Sequence, residues 1–328
     1  MLRHRNEFPV EGRLPGFDGA TTWLNAAPLT PADLRGRVVL VSFGTYTCIN
    51  WMRSLPYVRA WANKYAGHGL TVLGVQTPEF DFEGNLDNVS RAVEEMDIGY
   101  PVVVDNDYAV WQAFDNHYWP ALYFVDSQGR IRHHHFGEGN YEESEMVLQM
   151  LLREAGADVE QGLVRIEPHG VEAQADWANL GSSESYLGYD RAVDFASPEG
   201  VVPDERHVYS SPAGLRRNHW SLSGDWRIGP VPVVLNQPGG AISYQFHARD
   251  LHLVMGPPPA GRTVRFTVRL DGEPPGRAHG IDVDERGFGH ADYQRMYQLI
   301  RQPAPISDRR FEIDFLDDGV EAFVFTFG

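Results

Sequence analysis

Residues Val38-Val39-Leu40-Val41-Ser42-Phe43 are an apolar run of strand length, and the residues on their C-terminal side fix their context. After Gly44-Thr45-Tyr46-Thr47 comes a segment, 48–66, in which Leu55, Val58, Ala62 and Tyr65 recur at spacings of three and four. That is the stripe of a helix with one core-facing side. A second apolar run, 70–75, starts directly after Gly69. Strand, turn, helix and strand in this order constrain the chain to a layered α/β arrangement. The turn places the only cysteine of 328 residues, Cys48, at the start of the helix. There the unpaired backbone N–H groups and the helix dipole favour a thiolate over a thiol. Pro56 falls inside the helix, where the loss of a hydrogen bond predicts a kink.

The same alternation continues. A short strand is expected at 21–24, a helix at 86–96, a strand at 102–104 and a short helix at 108–114. Strands 121–125 and 131–136 flank the turn Asp126-Ser127-Gln128-Gly129, and a helix over 141–155 stops at Gly156, as a helix C-terminus should. The pattern predicts a mixed sheet with helices on both faces over 1–156. Residues 157–190 are small and polar with little periodicity, which reads as a linker or packing arm. From 191 to 328 the helical period is gone. Short alternating runs recur at 220–228, 231–235, 241–247, 251–255, 263–270, 296–300, 311–315 and 322–327, each bounded by Gly, Pro, Asn or Asp. They predict an all-β, jelly-roll-like sandwich.

With 28 Lys and Arg against 45 Asp and Glu, the net charge is −17. This argues against nucleic acid or an anionic membrane surface as partner and leaves a neutral sugar, a basic protein or a small thiol. The opening residues 1–9 carry basic side chains without the apolar core of a secretory signal. No apolar run approaches the roughly 20 residues that span a bilayer. One cysteine permits no internal disulfide, so nothing structural demands an oxidising compartment. The expectation is a protein without a transmembrane segment, cytoplasmic as the sequence stands and extracytoplasmic if a leader has been removed.

Several stretches together, Leu34 to Val41, Thr45 to Asn50, Gly74-Val75-Gln76-Thr77-Pro78-Glu79-Phe80, Asn116-His117-Tyr118-Trp119-Pro120-Ala121 and Phe136-Gly137-Glu138-Gly139, resemble the thioredoxin-fold redoxins of the TlpA-like group, within the AhpC/TSA-redoxin superfamily. The whole chain resembles the extracytoplasmic part of DipZ-type proteins, a redoxin domain followed by a β-sandwich of carbohydrate-binding-module type. The resemblance implies a thioredoxin fold, thiol–disulfide chemistry without a cofactor, Cys48 as nucleophile and Pro120 as the family's cis-proline beside the thiol. It also makes a carbohydrate a candidate ligand of the second domain. Three departures stand against the family pattern. Where it has Cys-x-x-Cys, this chain has Cys48-Ile49-Asn50-Trp51; the buried acid of thioredoxins aligns with Ser42; and an expected aromatic is Gly44.

The expected chemistry is therefore that of a monothiol: Cys48 attacks a disulfide, and a protein thiol or a glutathione-like thiol from outside resolves the product. Thr45, three residues before Cys48, matches the Thr-x-x-Cys spacing of peroxiredoxins and carries the alternative of a one-cysteine peroxidase, although Val41 stands where those enzymes have proline. A third reading is a binding or scaffold protein that has lost redox activity. Around the thiol, Tyr46, Asn50, Trp51, Tyr118 and Trp119 are candidates to hold a substrate chain, and His117 to lower the Cys48 pKa. The run His133-His134-His135 invites a metal reading, but on a strand its members alternate between faces, so no metal is expected there. In the second domain, Trp220, Trp226, Tyr244, Tyr293 and Tyr297 are candidates for a sugar-stacking platform, and Asp282, Asp284, Asp317 and Asp318 for calcium ligands.

Overall fold

A computed structural model describes residues 8–160, 162–258 and 261–328. Residues 1–7, which bear most of the reading of the N-terminus as lacking a signal core, lie outside the described residues. The chain divides into two compact units, one ending at Glu172 and the other beginning at Ala173. The stretch 157–190 is thus shared between them.

The first unit contains β1 (Gly12–Arg13), β2 (Thr22–Leu24), β3 (Val38–Gly44), α1 (Ile49–Tyr65), β4 (Leu70–Gln76), α2 (Leu86–Glu95), β5 (Val102–Val104), α3 (Ala109–Ala113), β6 (Ala121–Val125), β7 (Arg130–Phe136) and α4 (Tyr141–Glu154). They form one mixed sheet in the order β1-β7-β6-β3-β4-β5-β2. Strands β3, β4 and β5 run parallel, as the α1 and α2 crossovers require, while β6 and β7 run antiparallel to their neighbours. Every residue of β3 is buried, because it is central and covered on both faces. Its side chains alternate. Val39, Val41 and Phe43 join a core with Val110, Trp111 and Phe114, so Ser42 and Gly44 lie on the opposite face, toward α1. Helix α1 buries Trp51, Met52, Leu55, Val58, Trp61 and Tyr65, close to the expected stripe, and contains Pro56.

The second unit holds β8 (Ser185–Tyr186), β9 (Arg206–Tyr209), β10 (Trp220–Ile228), β11 (Val233–Leu235), β12 (Ala241–Phe246), β13 (Asp250–Gly256), β14 (Val264–Leu270), β15 (Phe288–Ala291), β16 (Arg295–Arg301), β17 (Arg309–Phe315) and β18 (Glu321–Phe327). Strand β10 belongs to two layers. Trp220 to Ser223 pair with β12, and Trp226 to Ile228 pair with β11. Gly224, at φ +94, marks the change, and a Cβ there would meet Gly240 Cα at 2.8 Å. The layers pack face to face through Tyr244 on Phe325, Phe311 on Phe325 and Phe266 on Tyr297, with ring centroids 5.0, 5.9 and 6.5 Å apart. The expected sandwich is present. Strands β8, β9 and β15 go beyond the expected set; each is short and at the margin of a sheet, and Ser185–Tyr186 pairs with β18 from within the stretch read as a linker.

Burial corrects the sugar-stacking candidates. Trp220, Trp226, Tyr244 and Tyr297 are fully buried and Tyr293 is nearly so, and their alternation along the strands serves the inter-sheet core. The four aspartates are not drawn together either. Asp282 pairs with Arg295, Asp317 with Arg265, and Asp284 caps the turn into Phe288. Among the described residues, no three His, Cys, Asp or Glu side chains converge as a metal site would require, and no helix is long and apolar enough to cross a membrane.

Candidate active site at the start of helix α1

The C-terminal ends of β3, β4 and β5 converge on one edge of the sheet, where sites of open α/β sheets are built. Cys48 stands there as the N-cap of α1. Its backbone is extended, its carbonyl accepts the Met52 N–H at 2.9 Å, and its own N–H reaches Thr45 O at 3.1 Å. The side chain is half-buried, and the thiol points at the carbonyl oxygen of Trp119, 4.0 Å away. The Trp119–Pro120 peptide is cis. Three groups hold this loop. The Trp119 indole N–H donates to Thr77 O at 3.0 Å, its ring lies 4.4 Å from that of Trp111, and Asn116 bridges Tyr118 O and the Tyr123 hydroxyl at 3.1 Å each. Pro120 O in turn accepts the Gly137 N–H at 2.8 Å. The next residue, Glu138, pairs with the buried Arg53 of α1 at 3.0 Å. Burial pushes the Glu138 carboxyl up, and the guanidinium pulls it part of the way back.

The sequence candidates separate into those at the surface and those turned inward. Trp51 is buried, with its indole against Gly44. With Tyr46, Val75, Val89, Ala92 and Tyr100 it lines an apolar cavity of about 20 Å³, too small for more than a single water. Tyr46 is core, edge-on to Phe82, and not part of a rim. Asn50 is exposed on the first turn of α1. His117 is exposed, its imidazole 3.4 Å from Asp115, so it faces outward and is not enclosed beside the thiol. Tyr118 is 52% exposed and packs its ring 4.8 Å from that of Phe136, giving an aromatic ledge next to the Trp119–Pro120 segment.

Thr45 departs most from expectation. Its side chain is fully buried and its hydroxyl accepts from Gln76 at 2.8 Å, so it offers nothing to a peroxide at the surface. Glu83 itself is absent from the candidates that sequence reasoning supplies. It is completely buried in the turn after β4. One carboxylate oxygen accepts from the Thr47 hydroxyl at 2.5 Å, and the other from the backbone N–H groups of Glu79 and Phe80 at 2.6 and 2.9 Å. Burial outweighs these hydrogen bonds and pushes its pKa up to about 7. The available signal is an acid directly beyond Phe80 and Phe82, a pair that has to point inward. At Ser42, where thioredoxins carry their acid, the hydroxyl is buried and has no hydrogen-bond partner among the described residues.

Two segments of the chain match known families. Residues 11–134 match the AhpC/TSA family, and residues 182–328 match the thioredoxin-like C-terminal domain. Protein DipZ of Mycobacterium bovis is 35% identical over 268 residues, which are 80% of this chain and 37% of DipZ, so the chain spans little more than a third of that relative. The thiol-disulfide oxidoreductase YkuV of Bacillus subtilis is 28% identical over 141 residues, 43% of this chain and 95% of YkuV. A solution structure of an oxidised thioredoxin-like protein shares 29% identity with a TM-score of 0.41, covering 44% of this chain and 97% of that one. The chain thus carries a segment similar to the AhpC/TSA family over residues 11–134, followed by one similar to the thioredoxin-like C-terminal domain over residues 182–328.

Proposed function

We propose that this protein is a monothiol redoxin in which Cys48 is the nucleophile and the second thiol comes from outside the chain. The observation that carries the reading is Cys48 as the half-exposed N-cap of α1 with the buried Trp51 where a resolving cysteine would stand. The Cys48 thiolate attacks one sulfur of a disulfide, a Cys48–substrate bond forms as the old S–S bond breaks, and the other sulfur leaves as a thiolate and takes up a proton. A glutathione-like or protein thiol then attacks the mixed disulfide and releases Cys48 in its starting state. Substrate would lie along the Tyr118–Phe136 ledge and the Trp119–Pro120 segment. Thr45 contributes to the turn rather than to peroxide binding, which leaves the peroxidase alternative without its main support.

The test is the adduct and its fate. Oxidised glutathione should place one glutathione on Cys48, reduced glutathione should remove it, and Cys48→Ser should take up none; a chain that forms no adduct contradicts the reading.

A further inference from the structure

Glu83, a fully buried carboxyl at this edge of the sheet, is hydrogen-bonded to the turn that ends at the thiol. Thr47 precedes Cys48 directly and donates its hydroxyl to Glu83, while the Thr45 backbone carbonyl accepts the Cys48 N–H. The other Glu83 oxygen is fastened by two backbone N–H groups. None of this is needed for packing alone, since a buried carboxylate costs far more to desolvate than an apolar side chain of that size. The groups around it are of one sign or neutral. Glu79 and Asp81 come from its own turn. Tyr108 and Asp105 come from the corner between β5 and α3, where Tyr108 is pushed up by burial and by the charges of Glu83, Glu79, Asp105 and Asp81. Gln76 of β4 donates to the Thr45 hydroxyl. No cation pairs with Glu83 among the described residues, so its charge has nothing nearby to neutralise it but a proton.

We propose that Glu83 is a positioning residue for Cys48: through the Thr47 hydroxyl its carboxyl holds the turn that presents the thiol, and by gaining or losing its proton it switches the charge behind that turn. The inference rests on Cys48 being the nucleophile. With Glu83 ionised, a negative charge stands behind the place where the thiolate forms and disfavours it; with Glu83 protonated, that opposition is gone. The two sites therefore titrate as a coupled pair.

The rate of iodoacetamide alkylation of Cys48, followed by intact mass from pH 5 to 10, tests this on the full chain. Glu83→Gln keeps the fastening, because the amide oxygen can accept from Glu79 and Phe80 while the amide nitrogen donates to Thr47. Glu83→Gln should raise the rate at pH 7 by about twofold, because about half of the wild-type molecules carry the Glu83 charge there and that charge raises the thiol pKa by about one, and should convert a two-step profile into a single ionisation. Thr47→Val, which removes the link and keeps the shape, should also displace the profile, and Glu83→Asp should restore its two-step form. Superimposable profiles for wild type, Glu83→Gln and Thr47→Val, with Cys48 ionising below the ordinary thiol value, overturn the role of Glu83 and leave the nucleophile reading standing. Ionisation at or above the ordinary value in every variant overturns that reading instead.

Discussion

A Cβ on Gly44 would stand 2.0 Å from Cδ1 of Trp51. The last residue of β3 and the first turn of α1 therefore occupy one another's space, and two departures from the family pattern become a single one: the indole that replaces the second cysteine lies over the residue that has lost its side chain. Gly44→Ala should destabilise the domain by about 1–3 kcal/mol through overpacking, and Trp51→Ala by about 3–5 kcal/mol. In the double variant the alanine at 44 has room, so the summed cost should fall short of additivity by about 0.5–3 kcal/mol. Chemical denaturation of the four proteins measures this.

Trp51→Cys returns a thiol to the position three residues after Cys48. Oxidation should then close a Cys48 to position 51 disulfide, seen as the loss of two hydrogens by intact mass. The glutathione adduct should become transient, because the new thiol displaces it from within the chain.

Glu83 makes stability depend on pH in a defined direction. Its folded-state pKa, about 7, lies above the ordinary 4.5, so the folded protein holds this proton more tightly than the unfolded chain. The stabilising contribution is complete below about 4.5 and is lost as the pH rises through about 7. Relative to Glu83→Gln, the wild type should lose on the order of 3 kcal/mol across that window, measured as the difference between their denaturant midpoints at each pH.

Arg53 and Glu138 tie α1 to the residue after Gly137, whose N–H holds Pro120. Glu138→Leu alone leaves a buried guanidinium without that carboxylate and should cost about 3–5 kcal/mol; Arg53→Met with Glu138→Leu should cost less than the single change. Thermal unfolding of the three variants decides it.

Tyr118 presents half its surface next to the Trp119–Pro120 segment, its ring packed at a tilt against Phe136. Tyr118→Ser should lower kcat/KM toward unfolded protein disulfides by about fivefold, the loss of about 1 kcal/mol of apolar contact. Alkylation of Cys48 by iodoacetamide, which does not need the ledge, should be unchanged.

Much of the first domain is legible in the sequence because its signals are local. The length of the β3 run, the three-and-four spacing in α1 and the glycine after α4 each act within one element. The placing of Cys48 at the helix start rests on that alone. The directions of Thr45, Tyr46 and Glu83 are not legible, because a polar turn becomes interior only when another segment closes over it, and here the Thr47–Glu83 bond joins residues 36 apart. The same holds for Trp220 and Tyr244, whose alternation along a strand says that one face is buried but not which layer covers it. Strands β9 and β15, Arg206–Tyr209 and Phe288–Ala291, lie at sheet margins and carry no alternating apolar pattern to announce them.

If the start of α1 makes Cys48 a reactive thiolate, the thiol must ionise early. Its ionisation, read from the pH dependence of alkylation in the intact wild-type chain with Cys48→Ser as the blank, is the most direct measurement of that property. The expected result is a pKa clearly below the ordinary thiol value of about 8.5; a value at or above it would contradict Cys48 as an activated nucleophile.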